Sequence, residues 1–324
     1  MTAMAPEIQA WLNRVNRLGN DLDTMTHENI GTVRAVRELR PQQFLWQIPL
    51  ESVRDFQVHG AGGNSVAVRL FVPHDRQLAR GGNLPVVIFY HGGGWALGNP
   101  SLYEPVTRAL ARQIPALVLS VDYRLAPENP FPAAVHDADA VLQWTLCHAG
   151  KLGGDSTRIV VAGDSCGGNL ATIAARHARA NGGQPIVLEV LFYPSVNISS
   201  LDYESYREFG TDHLLTRRAV EKFREFYLPN SVDWTHPDAS PLLADDLRGM
   251  PATLLIGAGC DPLRDEGQAY AEKLRSQGNQ VTYRLESQLA HGFLNLYDFE
   301  PACSPYAEAV IGYAAGAIRE AVRA

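Results

Sequence analysis

No run of lysine and arginine of the kind that tracks phosphates occurs anywhere in the sequence, and the formal net charge is −7. Nucleic acid and anionic membrane are therefore not expected partners. Long apolar runs are missing too; the longest are strand-sized, far short of the roughly 20 residues a membrane span needs. The N-terminus has no basic segment followed by an apolar stretch, so no secretory signal is expected. Cysteine is scarce: Cys147, Cys166, Cys260 and Cys303 form no CxxC pair and no zinc-type spacing with histidine. These absences predict a cytoplasmic, reducing location and no metal. What is present, 46% apolar and 19% charged residues over 324 positions, suits one large α/β domain with a full core.

Two helical patterns open the chain. Ile8, Trp11, Leu12, Val15 and Leu18 recur at helical spacing over residues 6–20, behind Pro6 in a first turn. A second helix is expected over 30–40, ending at Pro41. The texture changes at residue 53. Residues 53–59 and 66–72 flank a Gly-Gly-Asn turn and read as a hairpin. Apolar runs at 85–90, 116–121, 158–162, 187–192, 252–257 and 281–285 then alternate with helix-length segments. That alternation predicts roughly eight strands in a mostly parallel sheet with helices on both faces. One interval, from Tyr193 to Thr253, is too long for a single crossover. Within it, residues 216–227 read as a helix capped by Thr216, with Val220, Phe223 and Tyr227 on one face. The expected division is thus N-terminal helices over 1–50, a core over 51–195 and 236–324, and an insertion over 196–235.

Gly163-Asp-Ser165-Cys-Gly167 directly follows an apolar β-branched strand and directly precedes a helical run, Leu170 to Ala180. A G-x-S-x-G segment in that context is a nucleophile elbow: the turn holds the Ser165 hydroxyl above the sheet at the positive end of a helix. A near match around Ser65 joins two strands and reads as hairpin turn chemistry. Upstream, His91-Gly-Gly-Gly94-Trp95 follows a strand. Consecutive glycines let backbone amides approach a ligand, and fixed N–H dipoles stabilise a tetrahedral intermediate. The amides of Gly93, Gly94 and Cys166 are the expected oxyanion hole. A phosphate loop is disfavoured because no Lys-Ser/Thr follows, and His91 reads as a brace for the loop.

In elbow proteins of this kind the acid and the base follow the serine in chain order. Of His177, His213, His236 and His291, only His291 lies just beyond the last predicted strand, where such sheets build sites. Asp261 emerges from the strand before it and is the expected acid; Asp265 and Glu266 start a helix and read as its dipole-complementary caps. Trp95, Phe192, Tyr193, Phe209 and Leu214 are candidate pocket residues and equally plausible packing residues. No cofactor is needed by a Ser165–Asp261–His291 triad acting on a small-molecule ester.

With these residues placed, the chain resembles the bacterial hormone-sensitive-lipase-like carboxylesterases, from about residue 85 to 300. The likeness rests on His91-Gly-Gly-Gly94-Trp95, Tyr123-Arg-Leu-Ala-Pro-Glu128 with Phe131-Pro-Ala-Ala134, Gly163-Asp-Ser165-Cys-Gly-Gly168, Asp261-Pro-Leu-Arg-Asp-Glu266 and His291-Gly-Phe293. It implies an α/β-hydrolase fold, a helical cap built from the N-terminal helices and the insertion, short to medium acyl esters as substrates, and often a homodimer. One departure is Cys166, where the family usually has alanine. It raises two expectations, sensitivity to thiol reagents or a small buried apolar residue. Cys260 stands beside Asp261, but strands two apart keep these two thiols from a disulfide. Two other functions remain open on this scaffold: an amidase or peptidase using the same triad, and a non-catalytic ligand receptor, which the retained His291 disfavours.

Overall fold

Runs of valine, isoleucine and leucine form the strands, because branched side chains fit a pleated surface covered on both faces. The computed structural model describes residues 3–18, 21–39, 48–60, 63–182 and 186–324. Its strands are β1 (Ser52–His59), β2 (Ser65–Val72), β3 (Leu84–Tyr90), β4 (Leu117–Asp122), β5 (Gly154–Asp164), β6 (Ile186–Phe192), β7 (Thr253–Cys260) and β8 (Val281–Ala290). They form one sheet in the order β1-β2-β4-β3-β5-β6-β7-β8. β1 and β2 make the expected hairpin, with Ser52 opposite Val72 and His59 opposite Ser65. β2 runs antiparallel to β4, and every later pairing is parallel.

Helices α1 (Pro6–Leu18) and α2 (Ile30–Glu38) precede the sheet; α3 (Glu104–Gln113), α4 (Ala133–His148) and α5 (Cys166–Ala180) connect its parallel strands. Between β6 and β7 come α6 (Glu204–Phe209) and α7 (Arg217–Tyr227). Then follow α8 (Arg264–Ser276), α9 (Leu296–Phe299) and α10 (Ser304–Ala321). β3 is buried throughout and shows how its alternation feeds two cores. Val86, Ile88 and Tyr90 join residues of α4, α5 and α8 on one face; Val87 and Phe89 join α1, α3 and α10 on the other. Helices therefore cover both faces, as the sequence predicts. Among the described residues, no helix is long and apolar enough to cross a membrane.

The last strand departs from expectation. It runs to Ala290 rather than stopping near residue 285, so His291 stands directly at its carboxyl end. The middle of the strand, Glu286-Ser-Gln288, is polar because β8 is an edge strand with exposed positions, and burial resumes at Leu289 and Ala290. The ends of the two predicted N-terminal helices, residues 19–20 and 40, lie outside the described residues. α7 starts as predicted: the Thr216 hydroxyl accepts the Ala219 N–H at 3.0 Å. The same hydroxyl donates to the Asp23 carboxylate, and Arg218 donates to the Asp23 carbonyl at 2.8 Å. Asn16 donates to the Asp212 carbonyl at 2.8 Å, so the segments around α1 and α7 are tied to each other.

Candidate active site

β5 turns sharply into α5 at Ser165, whose φ of 54° and ψ of −121° are strained for a residue with a side chain. The flanking glycines are needed for close approach. A β-carbon on Gly167 would lie 2.0 Å from the Tyr90 carbonyl oxygen, and one on Gly163 would lie 2.3 Å from that of Gly167. The turn is held by its neighbours: Ser165 donates its N–H to Phe192 at 2.9 Å, and its carbonyl accepts from Ser195 at 3.1 Å.

The Ser165 hydroxyl lies 3.0 Å from Nε2 of His291. The other ring nitrogen, Nδ1, lies 2.8 Å from Oδ2 of Asp261. Asp261 is fully buried at the end of β7, and its second oxygen accepts the Leu263 N–H at 2.8 Å. The structure therefore brings Ser165, His291 and Asp261 into one hydrogen-bonded line.

The rivals lie elsewhere. Asp265 accepts from Arg264 at 2.7 Å and from the Ser205 N–H at 2.8 Å, so it caps α6 rather than its own helix. Glu266, also expected as a cap of its own helix, is instead buried and accepts the amides of Val196 and Asn197 at 2.8 and 3.2 Å. Burial pushes its carboxyl up to about 8, against the pull of those amides. His177 is paired with Asp139 and Asp238, each at 2.7 Å, which raises it to about 9. His213 packs on Phe209, and His236 accepts the Asp238 N–H. Ser65 donates to Gln57 within the hairpin.

The glycine loop sits beside the elbow. Gly93 and Gly94 have φ of +122° and +61°, and among the described residues no backbone carbonyl takes either N–H. The amide of Cys166 belongs to the first turn of α5, which lacks intrahelical partners. His91 is buried behind the loop, stacked on Tyr123 with centroids 4.3 Å apart and with Nδ1 2.8 Å from the Gly92 carbonyl. Burial pushes it down to about 4, which keeps it neutral at the pH where a brace is needed. Cys166 is equally enclosed. Its sulfur accepts the Trp95 N–H at 3.2 Å, and burial drives the thiol up to about 12. Both the enclosure and the raised thiol weigh against the expectation that it confers sensitivity to thiol reagents and favour the small buried residue.

A cavity opens over Ser165, lined by the glycine loop, His291 and side chains of α1, α3 and α7, Trp11, Val106 and Phe223 among them. Of the sequence candidates, Trp95 and Leu214 line it; the Trp95 ring stacks on Tyr227 at 4.4 Å. Phe192, Tyr193 and Phe209 do not. Phe192 points into the core beneath the sheet. Tyr193 backs His291, ring centroids 4.9 Å apart. Phe209 packs against His213 and the Arg264 guanidinium.

Asp164 was missed by the sequence reading. It is buried beside Ser165 and accepts from the Gly92 N–H at 2.7 Å, the Tyr103 hydroxyl at 3.1 Å and the Tyr193 hydroxyl at 3.3 Å. Burial raises it to about 6, and those donors limit the rise. The only signal was an acid at the variable position before the serine.

Residues 87–295 match the family described as alpha/beta hydrolase fold. The chain belongs to that family. Carboxylesterase NlhH of Mycobacterium tuberculosis is 42% identical over 225 residues, covering 68% of this hydrolase and 70% of NlhH. Carboxylic ester hydrolase LipN of the same organism is 41% identical over 82% of this chain and 69% of its own. The hyperthermophilic esterase from Pyrobaculum calidifontis superimposes with a TM-score of 0.88 at 35% identity, over 99% of this chain and 100% of that one. The resemblance to hormone-sensitive-lipase-like carboxylesterases, read from five motifs, is borne out by these relatives.

Proposed function

We propose that this hydrolase is a serine carboxylesterase that cleaves short to medium acyl esters through an acyl-enzyme on Ser165. The observation that carries the reading is the line Ser165 Oγ, His291 Nε2, His291 Nδ1, Asp261 Oδ2, with contacts of 3.0 and 2.8 Å. His291 takes the Ser165 proton as the oxygen attacks the ester carbonyl. The resulting oxyanion faces the amides of Gly93, Gly94 and Cys166. His291 then returns the proton to the leaving alcohol, and the same residue activates water to release the acid. Asp261 fixes the ring's tautomer and stabilises the imidazolium that forms.

The α1–α2 segment and the α6–α7 insertion act as a cap, a reading supported by their mutual ties at Asp23 and Asp212 and by Trp11 and Phe223 on the cavity wall. A cytoplasmic location is supported by four free thiols. A homodimer, and the absence of nucleic acid as a partner, rest on the family resemblance and the acidic charge alone.

The test is a fluorophosphonate probe together with p-nitrophenyl esters from acetate to octanoate and a butyrate anilide. Labelling and ester turnover that both vanish in Ser165→Ala, with turnover greatest for the shorter esters, are expected. Labelling elsewhere, or anilide turnover exceeding ester turnover, overturns the reading.

A further inference from the structure

The two side chains that flank Ser165 in sequence both reach the glycine loop, and they reach its opposite ends. Asp164 Oδ1 holds the Gly92 N–H at 2.7 Å. Cys166 Sγ holds the Trp95 N–H at 3.2 Å. Between these anchors lie Gly93 and Gly94, whose own N–H groups no backbone carbonyl takes among the described residues. We infer that Asp164 and Cys166 are positioning residues that clamp the Gly92–Trp95 loop to the nucleophile elbow and so fix the Gly93 and Gly94 amides relative to Ser165. The inference rests on the serine-esterase reading above and adds to it.

An oxyanion hole works only if its donors are already in place when charge develops. A glycine run resists this, since it has more backbone freedom than any other sequence. The loop's own bonds do little to restrain those amides: Ala96 and Leu97 donate to the Gly93 carbonyl at 3.2 and 2.9 Å, which uses an acceptor and leaves the donors alone. The anchors must come from outside: His91 and the Ala126 N–H hold the Gly92 and Trp95 carbonyls, each at 2.8 Å, while Asp164 and Cys166 hold the N–H groups of the same two residues.

Asp164 cannot swing away, because its second oxygen is engaged by Tyr103 and Tyr193. Those hydroxyls are themselves fixed, Tyr103 by Asn295 at 3.2 Å and Tyr193 by the Leu294 N–H at 3.3 Å. The same carboxylate thereby ties the loop to the segment that carries His291. Cys166 is confined as closely: its sulfur also lies 3.6 Å from the Tyr123 hydroxyl and 3.8 Å from the His91 carbonyl. Residue 166 thus plays two parts, a backbone donor to the hole and a side-chain anchor for the other donors. Where the family usually carries alanine, the second part is absent. A carboxylate accepts more strongly than a thiol, so Asp164 is the heavier of the two anchors.

The test uses the full chain with Asp164→Ala, Asp164→Asn, Cys166→Ala, Cys166→Ser and the double alanine variant. Each is assayed with p-nitrophenyl butyrate and with a trifluoromethyl ketone, whose hemiketal adduct on Ser165 carries the oxyanion. Asp164→Ala is expected to lower kcat about 100-fold and Cys166→Ala about tenfold, with KM within about threefold. Inhibitor Ki should rise in step with the loss of kcat/KM, and Asn and Ser should recover most of each loss. The double variant should lose far less than the product of the singles, since a loop freed at one end gains little from release at the other. Unchanged kcat, a fall in kcat with Ki unmoved, or losses that simply multiply overturns the clamp. If Asp164→Ala does not fold, Asp164→Asn and the Cys166 pair are decided by the same ketone readout. A wild type that neither turns over esters nor takes fluorophosphonate sinks the esterase reading and the clamp with it; an active wild type beside unaffected variants sinks the clamp alone.

Discussion

The ring of Phe223 fills the space that a β-carbon on Gly94 would need, with the nearest ring carbon 2.2 Å from that position. Phe223 belongs to the buried face of α7, so the insertion packs directly onto the glycine loop. Gly94→Ala must therefore displace either the ring or the loop, and it also places a side chain at φ +61°. A loss of about 100-fold in kcat/KM is expected, the scale of one missing oxyanion donor. Adding Phe223→Ala should restore part of it by making room. Steady-state kinetics on both variants checks this, and a double variant no better than the single one would show that backbone strain, not crowding, is the cause.

Asp261 and its neighbours separate cleanly by partner. Asp261→Asn keeps the shape but offers His291 Nδ1 an amide that can present a donor, favouring the wrong tautomer; a fall of about 10⁴-fold in kcat is expected. Asp265→Asn weakens only the cap of α6 and the tie to Arg264. It should leave kcat within about threefold while lowering stability by about 1 kcal/mol. Parallel kinetics and thermal melts distinguish the two. Equal losses of kcat would mean that the acid's role is shared.

Much of this arrangement was legible in the sequence for a simple reason: strands buried on both faces are written as apolar runs, and the elbow and glycine loop need glycines that nothing can replace. Where the reading stopped short, the missing information was tertiary. Glu286, Ser287 and Gln288 of β8 are polar because they lie at the sheet edge, so the sequence pattern breaks off before the strand does. Tyr193 leaves β6 with φ +35°, which carries its ring behind His291 and away from the cavity. Alternation in β6 sends Phe192 into the core on the α3 and α10 side. Asp265 looked like a cap for its own helix, yet a neighbouring helix start, invisible in the local sequence, takes it. Asp164 gave least warning, since one acid in a motif says nothing of the three donors that converge on it.

Thiol chemistry provides a direct check on burial. Cys147 is exposed, whereas Cys166 is enclosed and its thiol is pushed up to about 12 by burial. Iodoacetamide at pH 8 should modify Cys147 and leave Cys166 intact, because only an accessible thiolate attacks. Activity should stay within about 20% of the untreated enzyme while mass spectrometry of peptides locates the adduct. An adduct on Cys166 in the folded, active protein would mean that the elbow opens far more than its packing allows.

Glu189 makes the pH dependence of stability testable away from the site. It is fully buried in β6, with one oxygen accepting the Thr253 hydroxyl at 2.6 Å and the other without a partner among the described residues. Burial raises its carboxyl from 4.5 to about 7, opposed first by the Thr253 hydroxyl. The folded state thus favours the protonated form. Its stabilising contribution is complete below the unfolded value and is lost as pH rises through about 7. Glu189→Gln keeps an oxygen for Thr253 and cannot ionise. Its Tm should exceed that of the wild type by about 2–5 °C at pH 8.5, and the gap should close towards pH 5. Calorimetric scans at the two pH values decide the matter: a Gln variant equally destabilised at both would show that the carboxyl is held by packing rather than by its proton.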